Sequence, residues 1–196
     1  MDKNKVKSPG RGSSEGFFGR FKYLVLLSLN PVGLLKSSEK HKWYIYLVFP
    51  ATGWLLFFLQ IGIERFRQGM FTAWTVILIS FLGLVAGYLV VGFIGWMLAY
   101  ILAYLGYEMA PDKVIALIAM SHTYMVFSVL LGLIYNLFGN SSSASFGIAG
   151  LLCTLMPIYA GIRTLGKGKA FLPPLIATLV GVILLFSWQL ILIIVS

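Results

Sequence analysis

After residue 42 the chain is a succession of long apolar runs broken by short polar or charged segments. The first run, Trp43 to Ile63, carries no charge; Lys40, His41 and Lys42 precede it, and Glu64, Arg65 and Arg67 follow it. A helix rises about 1.5 Å per residue, so about twenty residues cross a hydrocarbon core of about 30 Å. Pro50 falls inside this run, removes one backbone hydrogen bond and is expected to kink the helix, a defect that neighbouring helices commonly absorb in membranes. The third run extends from about Lys113 to Phe138, with Asp112 expected to cap its positive amino end. The fourth runs from about Phe146 to Ile162, and the fifth follows Pro173 and Pro174 and ends at Val195. Between the third and fourth, Gly139 to Ser145 is short, uncharged and serine-rich, and reads as a tight turn. Its Asn140-Ser141-Ser142 has the form of a glycosylation sequon, but so short a loop keeps the asparagine near the bilayer and favours a plain solvated turn.

The second run, Phe71 to Tyr107, is ambiguous in length. As one helix it would measure about 55 Å, nearly twice what a bilayer requires, so it is either one tilted, protruding span or two short ones. The distribution of Lys and Arg separates these cases, because a split would reverse the side on which every later loop emerges. Five spans place thirteen Lys and Arg with the amino terminus and only Arg65 and Arg67 opposite, whereas six spans give nine against six. Basic residues gather on the cytoplasmic side, so five spans fit better, with the amino terminus cytoplasmic and the carboxy terminus outside. The run also lacks a proline or polar turn, and Gly83, Gly87, Gly92 and Gly95 permit bending without marking a reversal. One long helix is expected.

The segment before the first span divides in two. Residues 1–16 form a basic arm whose Lys3, Lys5, Lys7 and Arg11 stand among Pro9, Gly10, Gly12 and Ser13, a composition expected to stay disordered. Residues 17–39 form an interfacial segment, in which Phe17, Phe18, Phe21, Leu24 and Val25 share one helical face bordered by Arg20 and Lys22, as in a helix lying in the membrane plane. A cleaved signal peptide fits less well, because the run Tyr23 to Leu29 is short and Pro31 follows without a small-residue cleavage site. Residues 40–196 are then the transmembrane domain. Composition agrees: 59% of the 196 residues are hydrophobic and 11% charged, too apolar for a protein whose outer solvent is water. The single cysteine, Cys153, excludes an intrachain disulfide and reads as a small hydrophobe.

Little in the sequence points to chemistry. Beyond the arm and interfacial segment the acids are Glu64, Glu108 and Asp112, with Glu64 on the opposite side from the others, so a catalytic carboxylate pair is not expected. No cysteine or acid stands at ligand spacing from His41 or His122, no phosphate-binding loop is present, and no cofactor is expected. Basic residues clustered at a membrane border point to anionic phospholipid headgroups rather than nucleic acid. The strongest polar feature is Ser121-His122-Thr123, near mid-membrane in the third span. An ionisable residue there suits a proton carrier or a substrate ligand, while three polar groups in a row also suit a hydrogen bond across to another helix. Gln60, Asn136 and Gln189 are further candidates for such contacts. Gly83 and Gly87, continued by Gly95, Ala99 and Ala103, make a stripe of small residues for close helix packing, either within the chain or with a second copy. Arg163, Lys167 and Lys169 form a short basic turn that anchors topology and offers a surface to headgroups or to another membrane protein.

The order of these features resembles the Yip domain family of membrane proteins. The pieces that carry the likeness are Asn30-Pro31 ending the amphipathic segment, Trp43 opening the first span, and the glycine-bearing second span. They continue with Ala119-Met120-Ser121-His122-Thr123, Gly161-Ile162-Arg163, and the turn Gly166-Lys167-Gly168-Lys169-Ala170 before the last helix. The resemblance implies a five-span helical protein with a cytoplasmic amino terminus, no cofactor and no catalytic residue. Eukaryotic members are similar in their membrane part and take part in vesicle traffic with small GTPases; many prokaryotic members look like companions of transport systems. The short basic arm departs from the eukaryotic pattern and implies a prokaryotic plasma membrane.

Overall fold

The structure, a computed structural model, describes residues 43–107, 109–138, 143–165 and 172–195. The basic arm, the interfacial segment with Arg20 and Lys22, and the turn with Lys167 and Lys169 lie outside the described residues. The described residues form seven helices: α1 (Trp43–Tyr46), α2 (Val48–Arg67), α3 (Ala73–Tyr104), α4 (Pro111–Ser121), α5 (Thr123–Leu137), α6 (Ser143–Leu165) and α7 (Leu172–Val195). Taking α1 with α2 and α4 with α5, four helical stretches are long and apolar enough to cross a bilayer: Trp43–Arg67, Ala73–Tyr104, Pro111–Asn136 and Ser145–Thr164. This is an all-helical membrane protein. The last helix, α7, has 24 residues and no charge.

Local chemistry explains the helix ends. The Thr72 hydroxyl accepts from the Thr75 N–H at 3.2 Å and starts α3. Both α2 and α3 end on a glycine with positive φ, Gly69 at 72° and Gly106 at 80°. In each, the next N–H reaches back five residues, Met70 to Arg65 and Tyr107 to Leu102, so the last carbonyls are satisfied by a left-handed turn that only glycine enters without strain. Pro173 and Pro174 occupy the first turn of α7, where missing N–H groups leave no intrahelical bond unmade.

Three expectations change. Asp112 does not cap the third span: Ala110 is the cap residue, without a side-chain bond, and Asp112 lies in the first turn, still next to the positive helix end. Helix already begins at Ser143, inside the stretch Gly139 to Ser145 expected as a turn, and residues 139–142 lie outside the described residues. The third span is not one helix but two, joined at His122. The disturbance near Pro50 falls at Leu47, between α1 and α2, where the proline has no N–H for the carbonyl of Tyr46 and its ring crowds that carbonyl. The second run is a single unbroken helix of 32 residues, with Trp74 and Tyr104 exposed near its two ends.

Helix α2 packs chiefly against α3 and α5, and also meets α4 and α6. It runs parallel to α5: Gly53 faces Met125 and Val126, Gln60 faces Gly132, and Arg67 reaches the carbonyl of Asn136. Helix α4 is the most enclosed, buried at every residue from Val114 to Ser121, with α1, α2, α3 and α6 around it. Helix α7 packs mainly on α6 and stands at the edge of the bundle. Cys153 is exposed on the outer surface.

Of the small-residue stripe on α3, Gly83, Gly87, Gly95 and Ala99 face other parts of the same chain, whereas Ala103 is exposed. A methyl group on Gly87 would stand 2.6 Å from the carbonyl oxygen of Pro50 and 3.0 Å from the Cα of Ala51; one on Gly83 would stand 2.8 Å from the carbonyl oxygen of Trp54. Gly95 turns to α4, where a methyl would lie 3.0 Å from the Cα of Ile115, and Ala99 is buried on the same inner side. Gly92 is looser, its nearest neighbour being a Leu47 methyl at 3.5 Å. Gly87→Ala is therefore expected to destabilise the protein by about 1–3 kcal/mol, because backbone must move, whereas Gly92→Ala should change stability by less than about 0.5 kcal/mol. Unfolding of the two variants in the same detergent checks the contrast, and equal losses would contradict it.

Candidate functional site

The polar triplet of the third span sits where its helix breaks. His122 has φ −69° and ψ −6°, and its N–H bonds to the carbonyl of Ala119, three residues back rather than four. The carbonyl of Ile118 thereby loses the amide it would have received. It is met instead by the ring Nδ1 of His122 at 2.8 Å, so the side chain supplies the bond that its own backbone withdraws. Ser121 Oγ donates to the Leu117 carbonyl at 2.7 Å, and Thr123 Oγ1 to the Met120 carbonyl at 2.7 Å. The helix resumes with the Val126 N–H on the His122 carbonyl. All three polar side chains are thus tied to their own helix, and among the described residues none makes the expected bond to a neighbouring one. Hydroxyls that bond back one turn commonly bend a helix, and two such bonds, on either side of the histidine ring's, coincide with the break.

Adjacent helical residues point about 100° apart, so Ser121 and Thr123 diverge to either side of His122 and cannot share one ligand with it. What the triplet offers is a single atom. With Nδ1–H donating to Ile118, the Nε2 of His122 presents a lone pair, fully buried and without a hydrogen-bond partner among the described residues. That atom can accept a hydrogen bond or a proton. Among the described residues no group of three His, Cys, Asp or Glu side chains is placed to hold a metal ion.

A second polar cluster lies further along the parallel pair α2 and α5. Gln60 is completely buried, and its carboxamide lies over Gly132: a methyl there would stand 2.6 Å from Nε2 and 2.9 Å from Oε1. Asn136, one turn beyond Gly132 on the same face of α5, is 3% exposed. Neither carboxamide has a partner among the described residues. Arg67, two turns beyond Gln60, donates to the main-chain carbonyl of Asn136 and joins the carboxyl ends of α2 and α5, where a cation is favoured. Close by, Ser128 Oγ donates to the Phe146 carbonyl at 2.7 Å and ties α5 to α6. Gln60 and Asn136 are each readable as interhelical contacts; their convergence is hidden until the first and third spans are known to be parallel. Gln189 is exposed.

The third feature is at the opposite end of the bundle. Arg163, near the end of α6, donates from Nη1 to the hydroxyl of Tyr159 one turn earlier, at 3.2 Å. Tyr159 also lines a groove of about 330 Å³ between α6 and α7, whose other walls are Leu155, Met156, Pro174, Ala177 and Thr178. Gly161, two residues before Arg163, packs against Leu117, one turn before Ser121, but among the described residues no hydrogen bond joins Arg163 to the triplet, so the two are separate features.

The carboxamide of Gln60 yields a direct test. Replacing a buried, unpartnered amide with an apolar group of similar volume removes a desolvation penalty, so Gln60→Leu is expected to leave stability unchanged or raise it by about 1 kcal/mol. A loss of more than about 1 kcal/mol in detergent unfolding would mean that the amide is bonded in the folded protein.

No protein-family model, curated protein or solved structure matches this chain.

Proposed function

We propose that this is a non-enzymatic, five-span membrane protein that works by holding lipid or another membrane protein, as an accessory subunit of a membrane transport or trafficking system. The observation that carries this reading is the placement of Arg163 and Tyr159. The exposed Arg163 is bonded to the half-buried Tyr159 near a helix end, beside a groove between α6 and α7. The interior polar side chains of the triplet are instead committed to their own backbone. Continuity of α3 supports the count of five, with α7 as the last crossing, because it leaves thirteen basic residues on the cytoplasmic side. The likeness to the Yip domain family belongs to the same proposal and rests on the order of sequence features, as does a prokaryotic plasma membrane.

Two measurements test it. In a Cys153→Ser background, a cysteine placed at Gly168 should react with an impermeant reagent only from the cytoplasmic side; labelling only from outside overturns the topology. Crosslinking in native membranes followed by mass spectrometry should recover bound lipid, a stoichiometric partner or a second copy. A lipid-free monomer at native abundance would overturn the function.

A second reading has its own observation. The Nε2 of His122, without a partner among the described residues, lies near the middle of the third span, about 16 Å along from Pro111, where a buried acceptor suits a carrier of small solutes, ions or lipid. On this reading His122→Leu abolishes flux in proteoliposomes. Unchanged flux at every pH removes the histidine from the path.

A further inference from the structure

The groove between α6 and α7 has the chemistry of a lipid site rather than of a helix interface. Its floor is Ala177, 6% exposed, and its rim is Met156, 78% exposed, with Pro174 and Thr178 also open. Thr178 adds little polarity to the wall, because its hydroxyl donates to the carbonyl of Pro174 at 2.8 Å. Toward mid-bundle the groove is closed where Leu155 meets Gly181, a methyl on which would lie 2.9 Å from Leu155 Cδ1. Toward the helix ends it finishes at Tyr159, whose hydroxyl holds Arg163. The result is a shallow, open apolar groove with a polar cap at its Tyr159 end.

The cap is made of donors. The guanidinium has five N–H groups, of which one is used on Tyr159, and the tyrosine, accepting that bond, keeps its own O–H to give. Neither α6 nor α7 contains an aspartate or glutamate, and the connecting residues 166–171 add two lysines and no acid in sequence. A phosphodiester therefore meets donors and positive charge, whereas an ammonium or choline group meets no carboxylate on either helix.

We propose that this groove binds an anionic phospholipid, its phosphate held by Arg163 and the Tyr159 hydroxyl, and the upper part of one acyl chain lying against Ala177 between Met156 and Thr178. The proposal rests on the reading of this protein as one that works by holding lipid, and it assigns that role to one place.

Native mass spectrometry of the full-length protein, released from micelles doped with phosphatidylglycerol or with phosphatidylcholine of identical acyl chains, tests it. The unsubstituted protein is expected to retain phosphatidylglycerol at least about fivefold better, and Arg163→Gln should abolish that preference. Thr178→Trp, which fills the groove from its exposed rim, should reduce retention of phosphatidylglycerol several-fold with Arg163 intact. Lys113→Gln removes a charge at the same end of the bundle but outside the groove, and should leave retention unchanged; circular dichroism verifies that each variant is folded. Equal retention of the two lipids by the unsubstituted protein overturns the anionic preference. Indifference to Arg163→Gln or to Thr178→Trp overturns the site. If Lys113→Gln lowers retention as much as Arg163→Gln, binding is diffuse attraction to a basic face; the groove site is then wrong while the lipid reading of function stands.

Discussion

The bundle depends on how closely α3 approaches α2. At Gly83 and Gly87 α3 brings no side chain of its own, and its backbone rests against the carbonyls of Trp54 and Pro50 and the side chain of Phe58. In lipid, apolar side chains gain little by leaving one hydrocarbon for another, so close van der Waals contact has to supply the attraction that water supplies elsewhere. Seating α2 in this way fixes its rotation. Once Gly83 and Gly87 meet one side of α2, its Gly53 and Gln60 are directed to α5, and the enclosed α4 follows beneath.

Backbone polarity is the second constraint, and it acts where the helices are imperfect. No water reaches mid-membrane backbone, so an interrupted helix needs substitutes for each missing bond. At His122 the substitute is the histidine ring itself, bonded to the carbonyl that its amide abandons, with Ser121 and Thr123 bonding back on either side. A structural job for the ring and a chemical one are compatible, because they use different nitrogens. Nδ1 is committed to Ile118, and only Nε2 is open.

Much of the architecture was legible in the sequence, since a charge-free run of twenty or more apolar residues leaves little choice but a helix. The continuity of α3 could be read from the absence of any turn signal between Phe71 and Tyr107. Geometry that depends on helix rotation could not. The break at His122 arises from three side chains folding back on their own helix, while the sequence showed only three polar residues equally able to reach across. The meeting of Gln60 with Gly132 joins residues far apart in the chain, and a glycine in an apolar run does not say what lies over it. The Tyr159 and Arg163 pair was within reach, because a spacing of four on a helix brings such groups together, but no sequence pattern reveals the groove beside them.

The length of α3 has a further consequence. Trp74 and Tyr104, both largely exposed, stand thirty residues apart on one continuous helix, about 45 Å, close to the full depth of a bilayer with its headgroup layers. Rings of this kind settle at the two membrane surfaces, half apolar and half wet. A helix so tagged at both ends works as a depth gauge: it resists sinking or rising, and a thin bilayer must either thicken around it or let it tilt. Because α2 is seated on this same helix, the vertical position of the bundle, and with it the level of Arg163 relative to the phosphates, is set by a rod that carries no charge at all.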